Sequence, residues 1–448
     1  MIRKLKTKIA KDTHFSELVK GSSIAFVYRI FGIGLGYIFT LLITRGFGPE
    51  AMGVYVLAFT VMQIAVVIGT LGMDTAMLRL TGSNVEKTCA MTTIRMIYKQ
   101  ILSVVILTGF VIAIIVYFLA PFVSLYVFHN AKLVSAFQLT AIGVVPMVLI
   151  YLHREALRGL KRIALYALVN NIVIPFFGIL FLFILYFLQN ESEIAPLIAQ
   201  TAAIIVSAVL AIYLWNKEFR GIDKSEKVSN TTYKDLFSIS FPMMLASSMF
   251  MIMNWTDTLM LGMFVDEKEV GIYNVALKIS TFTSIALMAV NAIAAPKFAE
   301  MWGNKNINGL EKIVRQSTKM IFWSAFPILT MFLLFSHQLL SFFGEAFYLG
   351  TDVLIILTIG QFVNAISGSV NYLLNMTGNE KIVQNNILIA SLINILLNYF
   401  LIPKYGMEGA AIASMISVIY WNLAGVFYIK TKLNILTLYV PLLTRYVK

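Results

Sequence analysis

The sequence contains few charged residues. Asp, Glu, Lys and Arg make up 13% of its 448 residues, and hydrophobic residues make up 59%, whereas soluble domains carry roughly 25% charged residues. This balance excludes a chain of ordinary soluble domains and indicates a membrane protein. The chain has a single cysteine, Cys89, which excludes an internal disulfide framework and a cysteine-based metal site.

Motifs for nucleotide chemistry and metal-dependent hydrolysis are also missing. The sequence has neither the phosphate-binding loop of nucleotide hydrolases nor the helical zinc-protease motif. We therefore predict no metal and no cofactor, and ATP could supply energy only through another subunit. The predicted outward connections, such as "LQNESEI" and "VDEKEV", are too short to gather catalytic groups, so the chain is not expected to be an enzyme.

Long hydrophobic runs dominate what is present. A window of about 19 residues identifies apolar segments that can cross a hydrocarbon core of about 30 Å as helices. The run "FFGILFLFILYFL" lacks the alternation of a barrel strand, so the predicted fold class is an all-α polytopic membrane protein with about twelve helices. We place these helices near residues 22–44, 52–73, 101–120, 134–153, 164–188, 195–215, 236–264, 270–295, 320–343, 353–375, 383–402 and 409–429.

Basic residues are distributed unevenly between the connections. With a cytoplasmic N-terminus, the even-numbered connections and the two termini hold 29 of the 35 Lys and Arg residues. The odd-numbered connections hold four of them: Arg45, Lys132, Lys268 and Lys404. Because basic residues concentrate on the cytoplasmic side of membrane proteins, we predict that both termini are cytoplasmic. The net charge of +13 is then a signal of orientation and not of a nucleic-acid partner.

The sequence contains an internal repeat. "AMGVYVLAFTV" and "EVGIYNVALKI" align with Gly53 on Gly271 and Tyr55 on Tyr273, and both pairs lie 218 residues apart. Each phrase begins the second helix of a six-helix set, which predicts a parallel repeat about an axis along the membrane normal. The predicted domains are a cytoplasmic basic segment 1–21, an N-lobe 22–215, a cytoplasmic linker 216–235, a C-lobe 236–429 and a cytoplasmic tail 430–448.

Four charged residues fall within the predicted spans or at their boundary, namely Arg29, Asp74, Asp257 and Lys278. Each costs at least ~2.5 kcal/mol at mid-bilayer, so each is expected to face the protein interior or water. One interpretation is a structural ion pair of Asp257 with Lys278 or Arg29. The other is a partly cationic cavity for an anionic substrate, and the two can coexist. Asp74, at the inner boundary, could also serve as a helix cap.

Four stretches of the sequence resemble a known family. They are "RIFGIGLGYIFTLLITRGFGPEAMGVY", "LGMDTAMLRLTG", "NWTDTLMLGMFVDEKEVGIYNVALKIS" and "YGMEGAAIAS". Together they are similar to the polysaccharide transporter family, the O-antigen flippase type, of the multidrug, oligosaccharidyl-lipid and polysaccharide exporter (MOP) superfamily. The resemblance spans nearly the whole chain and is specific for the family but not for the sugar.

The resemblance implies a V-shaped, MATE-like fold of two six-helix lobes with alternating access. It also implies a flippase that moves undecaprenyl-diphosphate-linked oligosaccharide to the outer leaflet of the bacterial inner (cytoplasmic) membrane, for surface polysaccharide such as the O-antigen of lipopolysaccharide. The family's basic cavity positions correspond to Arg29, Arg79 and Lys278 here. Lys278 stands where an arginine is more usual, and a lysine lacks the bidentate fork.

Transport without a nucleotide motif predicts coupling to a proton or sodium gradient or to the membrane potential. Asp257 is the leading candidate for the coupling carboxylate and Asp74 the second. The implied partners are the lipid-linked oligosaccharide, membrane lipids and polysaccharide assembly enzymes. Two alternatives remain open on the sequence alone: a multidrug cation antiporter of the same superfamily, which Arg29 and Lys278 disfavour, and a membrane polysaccharide polymerase or glycosyltransferase.

Overall fold

The computed structural model describes residues 13–84, 90–189, 192–219, 232–439 and 441, and these residues are almost entirely helical. The first helices are α1 Thr13–Thr70, α2 Met73–Asn84, α3 Ala90–Phe122, α4 Leu133–Gly159, α5 Ile163–Leu168, α6 Ile174–Phe187 and α7 Ala195–Glu218. The remaining helices are α8 Tyr233–Phe264, α9 Glu267–Ser280, α10 Ser284–Gly303, α11 Ile307–Leu334, α12 Ser336–Ser341, α13 Thr351–Ser367, α14 Val370–Met376 and α15 Glu380–Leu433.

The number of membrane crossings agrees with the prediction of about twelve. Within the described ranges, nine helical stretches are long and apolar enough to cross a membrane. Two of them, Ile24–Thr70 with 47 residues and Glu380–Leu433 with 54 residues, are long enough to cross twice at 1.5 Å per residue. Counting these two stretches twice gives eleven crossings, and the 32-residue α8 is long enough for a twelfth. This agrees with the predicted all-α fold class of about twelve membrane helices.

Each of the two long helices is broken at a glycine with a positive φ. Gly48 has φ 84° and Gly406 has φ 53°, and the helix resumes on the far side of each break. Glycine adopts such a φ without the Cβ penalty of other residues. Pro49 follows the first break directly and lacks the N–H that would continue the helical hydrogen bonds. These breaks separate the predicted first span from the second, and the eleventh from the twelfth.

The helices form two compact units. The first comprises the described residues within Met1–Phe47 and Ala58–Ser248, and the second those within Gly48–Leu57 and Met249–Lys448. In the first unit the core is built around fully buried side chains such as Met62, Ile101, Val148 and Trp215.

Two ion pairs support the predicted alternation of connections in the first unit. Lys132 Nζ lies 2.9 Å from Glu193 Oε1, and these residues belong to the third and fifth connections. Arg162 Nε lies 2.8 Å from Glu218 Oε2, which joins the fourth and sixth connections. The third connection therefore meets the fifth, and the fourth meets the sixth. This is the pairing expected when each predicted helix of this unit crosses the membrane once. Such exposed pairs add little stability, but they show which connections share a side.

The repeated phrase makes a reciprocal contact with itself in the second unit. A Cβ at Gly53 would overlap the backbone carbonyl of Glu267, and a Cβ at Gly271 would overlap the backbone carbonyl of Pro49. Adding 218 to Gly53 gives Gly271, and adding 218 to Pro49 gives Glu267. The glycine of each copy thus contacts the residue that lies two positions before the other copy, which is the exchange that a two-fold axis produces. The glycines recur because the two helix backbones touch.

Some predicted boundaries lie outside the described residues or differ from the helices. Residues 1–12 of the basic segment, 220–231 of the linker, and 440 and 442–448 of the tail lie outside the described residues. Helix α15 continues to Leu433, past the expected end at residue 429. After Leu433 the chain packs against α13, where the Tyr439 backbone N–H donates to the Ile366 carbonyl at 2.9 Å.

Candidate functional site

The Asp257 carboxylate lies in a buried polar cluster of the second unit. Asp257 is only 5% exposed. Its Oδ2 accepts hydrogen bonds from the hydroxyl of Tyr273 at 2.9 Å and from the hydroxyl of Ser414. Its Oδ1 accepts from the side-chain amides of Asn394 at 2.9 Å and Asn398 at 2.7 Å. Four neutral donors therefore replace the water that a buried carboxylate loses.

Four helical segments place these groups around one carboxylate. Asp257 comes from α8 and Tyr273 from α9, whereas Asn394 and Asn398 share one face of α15 before its break at Gly406, four residues apart. Ser414 comes from α15 beyond the break. The break is what allows one helix to supply donors from two directions. Asn398 also donates to the Asn394 side-chain oxygen at 3.1 Å, which fixes the orientation of both amides.

The chemistry of this cluster suits a hard monovalent cation or a proton. Its potential ligands are all oxygens, the class that hard cations prefer. The Asn398 Oδ1 is buried and makes no hydrogen bond within the described residues, so an acceptor next to the carboxylate is unused. Over the same residues, no group of three or more His, Cys, Asp and Glu side chains is found. A single carboxylate with neutral oxygens matches one positive charge better than two.

Lys278 also belongs to the second unit. It is half-buried in the last turn of α9, where the helix gives way to the 3₁₀ turn Thr281–Thr283. Its backbone carbonyl accepts a hydrogen bond from the Thr281 hydroxyl at 2.8 Å. Lys278, one of the predicted substrate-binding residues, therefore lies where an α-helix of a membrane-spanning stretch changes to a 3₁₀ turn.

Three predicted site residues belong to the first unit. Arg29 is an exposed side chain on α1 before the break at Gly48, and Arg79 is an exposed side chain on α2. Asp74 is half-buried in the first turn of α2, where a carboxylate also interacts favourably with the helix dipole. The charges of Arg154 and Glu155 act on Asp74, so the runner-up coupling candidate already has charged neighbours.

The first unit contains a cavity that the sequence did not predict. Its volume is about 340 Å³. Its polar lining is Gln63, Tyr151, Arg154, Asn170 and Asn171, and its apolar lining is Gly32, Ile33, Phe59, Met147, Ile150, Val169, Ile174 and Pro175.

Sequence reasoning missed Arg154 because hydropathy ended the fourth helix at residue 153. Helix α4 continues to Gly159, so Arg154 is part of the helix and not of a connection. Its guanidinium carbon lies 3.7 Å from the centre of the Tyr151 ring, within the range of a cation–π contact. Arg154, the charged residue that lines the cavity, therefore lies just past the helix end that hydropathy predicted but still within α4.

A distorted helix forms part of the cavity wall. Between α5 and α6 the chain takes a π-helical turn, Val169–Val173, and Pro175 follows it. A proline cannot donate to the carbonyl four residues earlier, which here is the carbonyl of Asn171. A Cβ at Gly32 would overlap that carbonyl oxygen, so α1 packs directly against the distortion. The missing side chain of Gly32 is therefore what allows this close packing.

Comparison with known proteins identifies the family. The family described as "Polysaccharide biosynthesis protein" matches residues 18–302, more than half of the chain. The chain belongs to this family. The resemblance found in the sequence to polysaccharide transporters of the MOP superfamily is therefore confirmed, and the chain is a membrane transporter and not an enzyme. A second family, MatE, matches residues 242–400.

Relatives with descriptive names are similar over almost the whole chain. A probable low-salt glycan biosynthesis flippase, Agl15 of Haloferax volcanii, is 25% identical over 415 residues, covering 90% of this chain and 81% of Agl15. A putative O-antigen transporter of Shigella flexneri is 24% identical over 406 residues, covering 88% of this chain and 94% of that protein.

Solved structures share the fold of this family member. The lipid II flippase MurJ, in an inward closed conformation, superposes with a TM-score of 0.73 at 16% identity, covering 92% of this chain and 87% of MurJ. An inward-facing MATE multidrug transporter of the MOP superfamily superposes with a TM-score of 0.71 at 14% identity, covering 91% of this chain and 98% of that chain.

Proposed function

We propose that this family member flips an undecaprenyl-diphosphate-linked oligosaccharide from the inner to the outer leaflet for surface polysaccharide biosynthesis. The observation that carries the proposal is the polysaccharide biosynthesis family match, supported by a probable glycan flippase and a putative O-antigen transporter that align with about nine-tenths of the chain. Transport proceeds by alternating access of the two six-helix lobes, 22–215 and 236–429.

The diphosphate of such a substrate requires fixed positive charge. A diphosphate that leaves water loses hydration, and charge-assisted hydrogen bonds replace it. We propose Arg29 of the first unit and Lys278 of the second as residues that supply this charge. A ligand shifts a conformational equilibrium only through its differential contacts with the two states. In this account Arg79 contributes to initial capture at the inner mouth.

Replacement of these cations tests the substrate site. We expect Arg29→Ala and Lys278→Ala each to lower flipping about tenfold or more, because each removes a charge-assisted contact, while Lys278→Arg retains most activity. Arg79→Ala should have a smaller effect. The measurement is flipping of labelled lipid-linked oligosaccharide in liposomes, with Lys404→Ala, at an exposed lysine, as the matched control.

Membrane abundance and thermal stability separate this role from a structural ion pair. If Asp257 pairs with a cation for stability, alanine at either cation lowers the amount of folded protein, and neutralising Asp257 as well restores it. Stable and fully active variants at both Arg29 and Lys278 would contradict the cationic substrate site.

We also propose that an inward cation or proton gradient drives the cycle through Asp257. The proposal is supported by its burial, its four neutral donors and the unused Asn398 oxygen. Binding of one cation changes the charge inside the second unit, and the two states of the transporter need only differ in their affinity for it. Asp74 is the second candidate for this role.

A multidrug cation antiporter is the second candidate function. It is favoured by the MatE match over residues 242–400 and by the structural similarity to a MATE multidrug transporter. It is disfavoured by Arg29 and Lys278, which repel a cationic ligand. Efflux of a dye cation from liposomes that contain the protein tests it directly, and our proposal predicts no such efflux.

Placement in the bacterial inner membrane with both termini in the cytoplasm is part of the proposal. The positive-inside distribution predicts that a reporter fused after Lys227 is cytoplasmic and that one inserted near Glu191 is external. Both positions lie outside the described residues. Reporter activity of the two fusions in intact cells measures this, and the reverse pattern would contradict the predicted orientation.

A further inference from the structure

The cavity of the first unit has the polar groups of a carbohydrate site. The Tyr151 hydroxyl donates to Gln63 Oε1 at 3.1 Å, and Asn170 Nδ2 donates to Asn171 Oδ1 at 3.2 Å. Within the described residues, no hydrogen bond uses Gln63 Nε2 or Asn170 Oδ1. A donor on α1 and an acceptor on the π-helical turn Val169–Val173 therefore remain available, and each sugar hydroxyl can both donate and accept.

Arg154 gives this cavity one positive charge. It is the one charged side chain among the described lining residues. About a fifth of its side chain, 21%, remains exposed, and the contact with the Tyr151 ring orients the guanidinium plane. A planar guanidinium pairs with a carboxylate through two parallel hydrogen bonds. The site therefore combines neutral hydrogen-bonding groups with a binding position for an acidic group.

A carboxylate next to Arg154 limits the negative charge of a ligand that the cavity can bind. Arg154 Nε lies 3.5 Å from Glu155 Oε1, and Glu155 is buried. The charge of this carboxylate weakens the positive potential at the cavity. A diphosphate, with its several negative charges, is poorly matched here, whereas a ligand with one negative charge is well matched.

The size of the cavity points to a small group. A volume of about 340 Å³ lies at the lower end of the ~300–1,000 Å³ that is usual for ligand sites. The cavity is partly open, so part of a larger molecule can enter while the rest remains outside. An oligosaccharide would place one sugar residue in it.

We propose that this cavity binds one singly charged acidic sugar of the uronic acid class, with Arg154 pairing with its carboxylate and Gln63 and Asn170 bonding its hydroxyls. The inference rests on the proposed function, because the sugar belongs to the transported oligosaccharide. It adds a specificity site to that function: the first unit selects for an acidic residue in the glycan, separately from the cations that meet the diphosphate.

Direct binding to the purified full-length protein in detergent tests the proposal. Glucuronate, glucose and inorganic pyrophosphate are titrated by calorimetry into wild-type protein, Arg154→Gln, Arg154→Lys and Arg158→Gln. Arg158 is the matched control because it also pairs with Glu155, at 3.3 Å, and does not line the cavity. The thermal stability of each variant without ligand confirms that it is folded.

We expect saturable binding of glucuronate that weakens about tenfold or more in Arg154→Gln, recovers in part in Arg154→Lys and is unchanged in Arg158→Gln. Glucose should bind more weakly, and equally in wild type and Arg154→Gln. Equal glucuronate binding in those two proteins, pyrophosphate binding tighter than glucuronate, or no saturable glucuronate binding would each overturn the proposal.

Transport measurements show whether a negative binding result counts against the sugar site alone or against the proposed flippase function as well. If the subsite assignment is wrong and the function is right, lipid-linked oligosaccharides are flipped in liposomes and Arg154→Gln treats acidic and neutral glycans alike. If the function is wrong, no lipid-linked glycan is flipped whatever the binding titrations show.

Discussion

Asp257→Asn is expected to abolish ion-driven transport while the protein stays folded. Asparagine has the same shape, and its carbonyl oxygen can still accept from Asn394 and Asn398. Its amide can donate to the hydroxyls of Tyr273 and Ser414, because a hydroxyl both donates and accepts. The negative charge that binds the cation is lost. We expect the response of flipping to an imposed sodium or proton gradient to fall at least about tenfold.

Two further variants sharpen this test. Asp352→Asn is the matched control, because Asp352 is an exposed carboxylate in the first turn of α13. Asp257→Ala should lower stability by several kcal/mol, since it leaves four donors without their acceptor, and each buried unsatisfied group costs roughly 1–3 kcal/mol. Gradient-driven flipping by Asp257→Asn at the wild-type rate would contradict the coupling role, and Asp74→Asn would then be examined.

Gly53→Ala and Gly271→Ala are each expected to destabilise the second unit. Each new Cβ would overlap a backbone carbonyl of the opposing helix, and a backbone atom cannot move aside as a flexible side chain can. Overpacking of this kind costs at least ~1–3 kcal/mol. We expect a lower thermal unfolding temperature and less folded protein in the membrane for both variants.

The reciprocal contact makes a sharper prediction for the double variant. Once one alanine has pushed the two helices apart, the second alanine causes less further displacement. The loss of stability in the double variant should therefore be smaller than the sum of the losses in the single variants. Gly34→Ala on α1 is the matched control, because a Cβ at Gly34 would have no neighbouring atom within 4 Å and alanine favours a helix. Alanine variants at Gly53 and Gly271 as stable as Gly34→Ala would contradict the contact.

The fold was largely predictable because the bilayer constrains it strongly. Only helices or closed barrels satisfy backbone hydrogen bonds in lipid, so length and hydropathy alone predicted about twelve crossings. The repeat was also visible in the sequence as Gly53 and Gly271. Its cause was not, because a glycine alone does not show which backbone it approaches. Only the structure shows that each copy touches the other.

The candidate site was less predictable for two physical reasons. Charged residues stand out against an apolar background, so Asp257 was found from sequence, but its neutral partners Tyr273 and Ser414 look like ordinary residues of apolar helices. The four-residue spacing of Asn394 and Asn398 was the available signal for a shared face. Arg154 was missed because hydropathy marks where apolar composition ends and not where the helix ends.

Flipping in liposomes measures the proposed activity itself. Purified protein is reconstituted with fluorescently labelled undecaprenyl-diphosphate oligosaccharide, a sodium or proton gradient is imposed, and the sugar that becomes accessible to an external quencher is followed over time. We expect protein-dependent flipping that accelerates with the gradient and loses this acceleration in Asp257→Asn. Efflux of a dye cation by the same liposomes, without any movement of the lipid-linked sugar, would contradict it.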